Sequence, residues 1–190
     1  MAKKKDFDSF SISLKEGLKY PWNKASRLWN ILWLLFPIFG WFALAGYFKR
    51  IIKELVKGNN KQLPEFGKFW QNFKDGIIIF VFMIPTIIAL FMVKMIPLIG
   101  DVLSTLIEVF LLPWLIINFF VKETFDSLWD IKNAFSLVFE NAVDYIFAYL
   151  KTLIFTLIYG LLSIVLVGIP CYIFGNSFFL AEFYRNNKKK

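Results

Sequence analysis

Four stretches of this chain, 76–93, 102–121, 145–167 and 170–184, are almost continuously apolar and hold only Glu108, Lys151 and Glu182 as charged side chains. A hydrocarbon core of ~30 Å asks for roughly 20 apolar helical residues, and helices of soluble proteins seldom repeat such runs. The pattern predicts an all-α, polytopic membrane protein with four full transmembrane helices. An earlier apolar block, 28–48, has the length of one crossing, but Pro37 and Gly40 interrupt its middle. It reads either as a fifth membrane helix or as a re-entrant hairpin whose tip is packed against protein.

Between the apolar blocks the period changes. In 1–27, Phe7, Phe10, Leu14 and Leu18 recur at spacings of three and four, and in 122–144 so do Leu128, Ile131, Phe135, Val138 and Ala142. Both are expected to be amphipathic helices at the headgroup level. Phe66, Phe69, Trp70 and Phe73 make an aromatic stripe ahead of the block that begins at Gly76, a composition suited to the membrane interface. Gly58 is a fitting stop for a helix running through 41–57. No fixed-period repeat and no Gly/Ser-rich linker is visible, and the 190 residues are read as a single integral membrane domain, 1–190.

Charge sets the expected orientation. The 28–48 block has seven lysines and arginines before it and seven directly after it. A hairpin at this block places 21 of the 22 basic residues on one side, with Lys94 alone opposite, whereas a crossing divides them far more evenly. The positive-inside rule therefore favours the hairpin, with both termini and the 49–74 segment in the cytoplasm of a prokaryotic cell. The net charge of +8 then reflects contact with anionic lipid headgroups on the cytoplasmic face, not nucleic acid, whose binders carry their aromatic residues on a soluble face.

Composition narrows the chemistry further. With no histidine and a single cysteine, Cys171, the chain contains no disulfide, Cys-His nucleophile or Ser-His-Asp triad of its own. No Gly-rich phosphate loop, paired intramembrane aspartates or metal-spaced ligands occur. No catalytic, cofactor or metal site is expected, and the protein reads as a non-enzyme.

Two polar groupings remain. Glu108 sits about six residues, or ~9 Å by helical rise, inside its span. Thr86 and Asn176 fall at similar depth, so the three are candidates for an intramembrane polar cluster, functional or simply joining helices. Lys151 and Glu182 lie near the inner ends of adjacent spans and read as a structural inner-leaflet pair within snorkelling reach of headgroups. A membrane scaffold, or a component that engages lipids, a membrane-protein partner or a second copy of itself, accounts for these features. The alternative is a small transporter or channel subunit using the cluster around Glu108.

Several short motifs occur in order: Leu18-Lys19-Tyr20-Pro21, Gly46-Tyr47 followed by Lys49-Arg50, Leu63-Pro64-Glu65-Phe66, Asp75-Gly76, and Asp144-Tyr145. In these the chain resembles the prokaryotic membrane-protein family called domain of unknown function 4013 (DUF4013), over most of its length and best in residues 11–80. Phe66 stands where that pattern has tryptophan. The resemblance implies a multi-helix membrane protein of bacteria or archaea and carries over no catalytic residue.

Overall fold

The computed structural model describes residues 13–188, which are all-helical. Helix α1 covers residues 13–19, and the expected helical stretch 6–12 before it lies outside the described residues. A long 3-10 segment, Trp22–Leu35, leads into α2 (Phe39–Lys57). Then follow α3 (Phe69–Lys94), α4 (Gly100–Lys122), a 3-10 turn at Phe125–Leu128, α5 (Ile131–Glu140), α6 (Ala142–Leu162), α7 (Gly168–Gly175) and α8 (Phe178–Asn187). Among the described residues three helical stretches are long and apolar enough to cross a membrane: Phe69–Lys94, Gly100–Lys122 and Ala142–Val165. The 170–184 block, expected as one further span, is divided between α7 and α8 by the turn at Asn176 and Ser177.

The chain reverses three times in the same way. At Pro37–Phe39 the Phe39 N–H donates to the Pro37 carbonyl (2.8 Å), at Pro97–Ile99 Ile99 donates to Pro97 (2.8 Å), and at Val165–Val167 Val167 donates to Val165 (2.7 Å). The residue between each pair has positive φ: Ile38 at 66°, Leu98 at 69°, Leu166 at 61°. These are γ-turns of the rare, strained hand, here occupied by branched apolar residues. All three side chains are exposed.

A glycine stands two residues after each positive-φ residue, and the close approach requires it. A Cβ on Gly40 would overlap the Trp33 carbonyl, one on Gly100 the Val93 carbonyl, and one on Gly168 the backbone at Leu162 and Ser163. The turn sequences Phe36-Pro37-Ile38-Phe39-Gly40 and Ile96-Pro97-Leu98-Ile99-Gly100 match position by position. The third keeps the glycine and lacks the proline. Among the described residues three helical hairpins are thus built on one turn. The spacings of 60 and 68 residues between the glycines differ, and that difference hides the repeat from a fixed-period search.

The first of these turns lies inside the 28–48 block, at the break expected from Pro37 and Gly40. Beyond it the chain doubles back, because Asn23 Nδ2 reaches the Lys61 carbonyl (2.7 Å) and Arg27 reaches the Leu63 carbonyl. The chain just before the block thus lies against the loop that follows α2.

Helices α2 and α3 pack through reciprocal small residues. Gly46 meets the backbone of Asn72 and Gly76 meets that of Phe42, so close that a Cβ at either would overlap main-chain atoms. Tyr20, Tyr47, Ile51, Leu63, Phe155, Phe174 and Phe178 form the fully buried centre. Around it the apolar surface stays open: Ile84, Ile87, Ile88, Phe91 and Met92 of α3 are all exposed.

Helix α4 contains one turn of π-helix, Ile107–Leu111, immediately before Pro113. Pro113 has no N–H for the Val109 carbonyl four residues back, and the Tyr145 hydroxyl of α6 donates to that carbonyl instead. Helix α5, expected to be amphipathic, folds back along α4: Asp130 pairs with Lys122 (3.2 Å), and farther along Phe139 stacks on Phe110 (6.1 Å). Its aromatic face, Phe135 and Phe139, is exposed, as an amphipathic helix requires.

Candidate functional site

The densest group of charges lies where the C-terminal half of α2, the loop 58–68, the start of α3 and the end of α4 come together. On α2, Gly46, Lys49 and Lys53 recur at helical spacing and share one face, while Ile51, Ile52 and Leu55 occupy the core side. The glycine contacts draw α3 close, and Lys49 Nζ lies 3.0 Å from Asp75 Oδ1.

Glu123 comes from the other direction. It terminates α4 in the left-handed region (φ 58°), its N–H donating to the Phe119 carbonyl at 2.8 Å. Glycine usually holds such a position. Here the glutamate's carboxylate reaches Lys49 (2.8 Å) and Lys53 (2.7 Å) together.

Lys49 has only 9% of its side chain exposed. Burial works against its charge, but hydrogen bonds to Glu123 and Asp75 outweigh that and raise its pKa. The same bonds, from Lys49 first and Lys53 second, hold the Glu123 carboxyl down to about 2. Lys49 is the buried member, and losing its partners leaves its charge uncompensated, whereas the half-exposed Glu123 is screened by solvent and loses less. The group is thus an electrostatic clamp joining three helices.

Side chains also tie the adjoining loop by its carbonyls. Tyr47 Oη donates to Pro64 O (2.8 Å), Asn72 Nδ2 to Phe66 O (2.6 Å) and Arg50 to Glu65 O (3.3 Å), while Arg27 pairs with the Glu65 carboxylate (3.0 Å). This non-helical loop satisfies much of its backbone through side chains. The open pocket at this junction, about 510 Å³, is lined by Lys49, Arg50, Lys53 and Lys57 facing Glu54, Glu65, Asp75 and Glu123. Its charges balance, so it holds helices in place without a fixed excess charge for a ligand.

The groupings expected from sequence lie outside this clamp. Glu108 lies in the π turn of α4, and its Oε1 pairs with Lys94 Nζ at 2.9 Å, both side chains well exposed. Thr86 Oγ1 and Asn176 Oδ1 are buried without a hydrogen-bond partner, so neither oxygen bonds to Glu108. Lys151 and Glu182 do share a site, a cavity of about 250 Å³ whose wall also holds Ser13, Asp144 and Phe179. There Glu182 Oε2 accepts from Ser13 Oγ (2.8 Å), and Lys151 lies over the Phe179 ring at 6.0 Å. Among the described residues no group of three or more Asp, Glu or Cys side chains is placed to hold a metal ion.

Sequence reasoning missed the Lys49, Asp75 and Glu123 clamp, although its signal was present. Gly46-Tyr47, Lys49-Arg50, Leu63-Pro64-Glu65-Phe66 and Asp75-Gly76 are the motifs that carried the family resemblance, and the fold brings all four to this one junction.

No curated relative and no solved structure matches the chain. The family model described as "Protein of unknown function (DUF4013)" matches residues 30–168, which include the whole clamp. The chain belongs to the DUF4013 family.

Proposed function

We propose that this is an integral membrane protein of the prokaryotic cell membrane that works without catalysis, as a scaffold or as a component engaging lipids and a membrane partner. Its three hairpins enter the bilayer from the cytoplasmic side with their tips directed away from it. The first hairpin is re-entrant, the second crosses fully as α3 and α4, and the third combines α6 with the shorter α7 and α8. Both termini and the clamp are cytoplasmic in this arrangement, consistent with Lys94 being the one basic residue near the tips.

One observation supports this reading most. In α3, the most apolar of the three spanning helices, only 11% of its best 18-residue window is buried. A helix so exposed and so apolar is covered by acyl chains or by a neighbouring membrane helix. The transporter alternative has less support, since Glu108 is engaged by Lys94 at the surface.

The test pairs crosslinking with flux. A photo-crosslinking residue at Ile88 or Phe91 in native membranes is expected to attach to lipid or to one discrete protein, and proteoliposomes of the purified chain are expected to leak no more protons or cations than empty vesicles. A leak that Glu108→Gln abolishes would overturn the scaffold reading in favour of the transporter.

A further inference from the structure

We propose that the third hairpin, formed by α6 with α7 and α8, is re-entrant like the first, and that its tip, residues 163–167, ends among lipid acyl chains inside the bilayer. The proposal rests on the reading above that the hairpins enter from the cytoplasmic side. It gives the exposed tip a partner, the hydrocarbon of the membrane.

The length of the legs sets the depth. Lys151 of α6 and Glu182 of α8 stand in one polar cavity with Ser13 and Asp144, which marks the level where this hairpin leaves water. The residues between them, 152–181, carry no charge. From Glu182 back to Val167 is 15 residues, at most ~22 Å of helix, and the break at Asn176 and Ser177 shortens that path. A hydrocarbon core of ~30 Å is deeper. Helix α6 alone is long enough to cross, but it shares its tip with the shorter return leg, which holds the tip back. The second hairpin differs, since Asp75 to Lys94 is 19 residues, ~28 Å, and the charged Lys94 and Asp101 flank its tip.

The backbone of the third tip is also made for a site without water. A turn in hydrocarbon has to satisfy its polar groups internally. Here the Leu166 N–H donates to the Ser163 carbonyl (3.0 Å), Val167 to Val165 (2.7 Å) and Ile169 to Leu166 (3.2 Å). Ser163, the one polar side chain of the tip, turns its hydroxyl back onto the Tyr159 carbonyl (2.7 Å).

What faces outward is apolar. Ile164, Val165 and Leu166 are 83%, 70% and 73% exposed, and the exposed Leu157 and Leu161 of α6 lead up to them. Such a surface fits acyl chains, and water or headgroups would leave it unsolvated. A short hairpin can also be accommodated by local thinning of the bilayer, which would bring these three side chains to the far headgroups. The two arrangements differ in whether a water-soluble reagent meets the tip.

The test uses the full chain carrying Cys171→Ser in proteoliposomes of phosphatidylcholine and phosphatidylglycerol, with a nitroxide attached at Leu166→Cys or, separately, at Ile164→Cys or Leu98→Cys. Collision with oxygen, which concentrates in hydrocarbon, is compared with collision with a neutral nickel chelate, which stays in water. At positions 164 and 166 oxygen collisions are expected to exceed nickel collisions several-fold, and at 98 the order is expected to reverse. Nickel collisions at 164 and 166 as frequent as at 98 would overturn the proposal, whether the hairpin crosses fully or thins the bilayer around it. Immobilised nitroxides at 164 and 166 that neither reagent reaches would overturn the lipid partner, because protein then covers the tip. Oxygen dominance at all three positions would support the re-entrant third hairpin and overturn the full crossing of the second. Nickel dominance at all three, with release of the protein by alkaline carbonate, would overturn the membrane reading itself, so the failures are distinguishable.

Discussion

The hydroxyl of Tyr145 donates to the carbonyl of Val109, the backbone acceptor that Pro113 leaves without its helical donor. Helix α4 therefore depends on α6 to complete its hydrogen bonding in an apolar setting, where an orphaned carbonyl is costly. Tyr145→Phe is expected to lower unfolding stability by about 1 to 3 kcal/mol. In the Pro113→Ala background, where an N–H becomes available for Val109, the same substitution should cost less. Equal losses in both backgrounds, measured by denaturant unfolding in micelles, would remove Pro113 as the reason for the contact.

Glycine substitutions separate packing from propensity. Gly46→Ala and Gly76→Ala each drive a methyl into the opposing backbone, and both are expected to destabilise by more than about 2 kcal/mol, since main chain does not yield as a side chain would. Gly160 has open space around its missing Cβ. Gly160→Ala should be neutral or stabilising by up to ~1 kcal/mol through helix propensity. Thermal unfolding of the three variants side by side checks the ranking.

Much of the fold was legible because membrane-length apolar blocks and Pro/Gly breaks are local signals. The turn at Pro37, the Gly58 stop after α2 (φ 93°, donating to Glu54 and Leu55) and the two-sided character of α5 all followed from neighbours in the chain. What escaped depended on distant ones. Counting depth along a straight helix groups Glu108 with Thr86 and Asn176 but does not reveal its Lys94 partner, and a π turn lies at Glu108 itself. Lys49 lies 26 residues from Asp75 and 74 from Glu123, so no local pattern pairs them. The 170–184 block reads as one span by hydropathy, yet its Asn176-Ser177 step breaks the helix and most of its side chains enter the core.

The clamp predicts an acid limb in stability. Glu123 has its carboxyl lowered from an ordinary 4.5 to about 2, so its contribution is complete above the unfolded value and is lost as pH falls from about 5 toward 2. Glu123→Gln should melt lower at neutral pH and show a shallower fall across that window. The fall should not vanish. Glu54 is also lowered, by hydrogen bonds from Lys57 and Asn59, and Asp130 is lowered by Asn133 and Lys122 despite its burial. Parallel curves for wild type and variant would show that the Glu123 bonds contribute nothing to folding.

The central claim is that all three hairpins enter from one side, and single-cysteine labelling tests it most directly. Cys171 is fully buried, and Cys171→Ser provides a silent background. A cysteine at Lys61, in the loop after the first hairpin, is expected to react with a membrane-impermeant maleimide only after the cells are opened. One at Leu98, on the fully exposed tip of the second hairpin, is expected to react in intact cells. Strong labelling at position 61 in intact cells, with none at 98 until they are opened, would contradict the account.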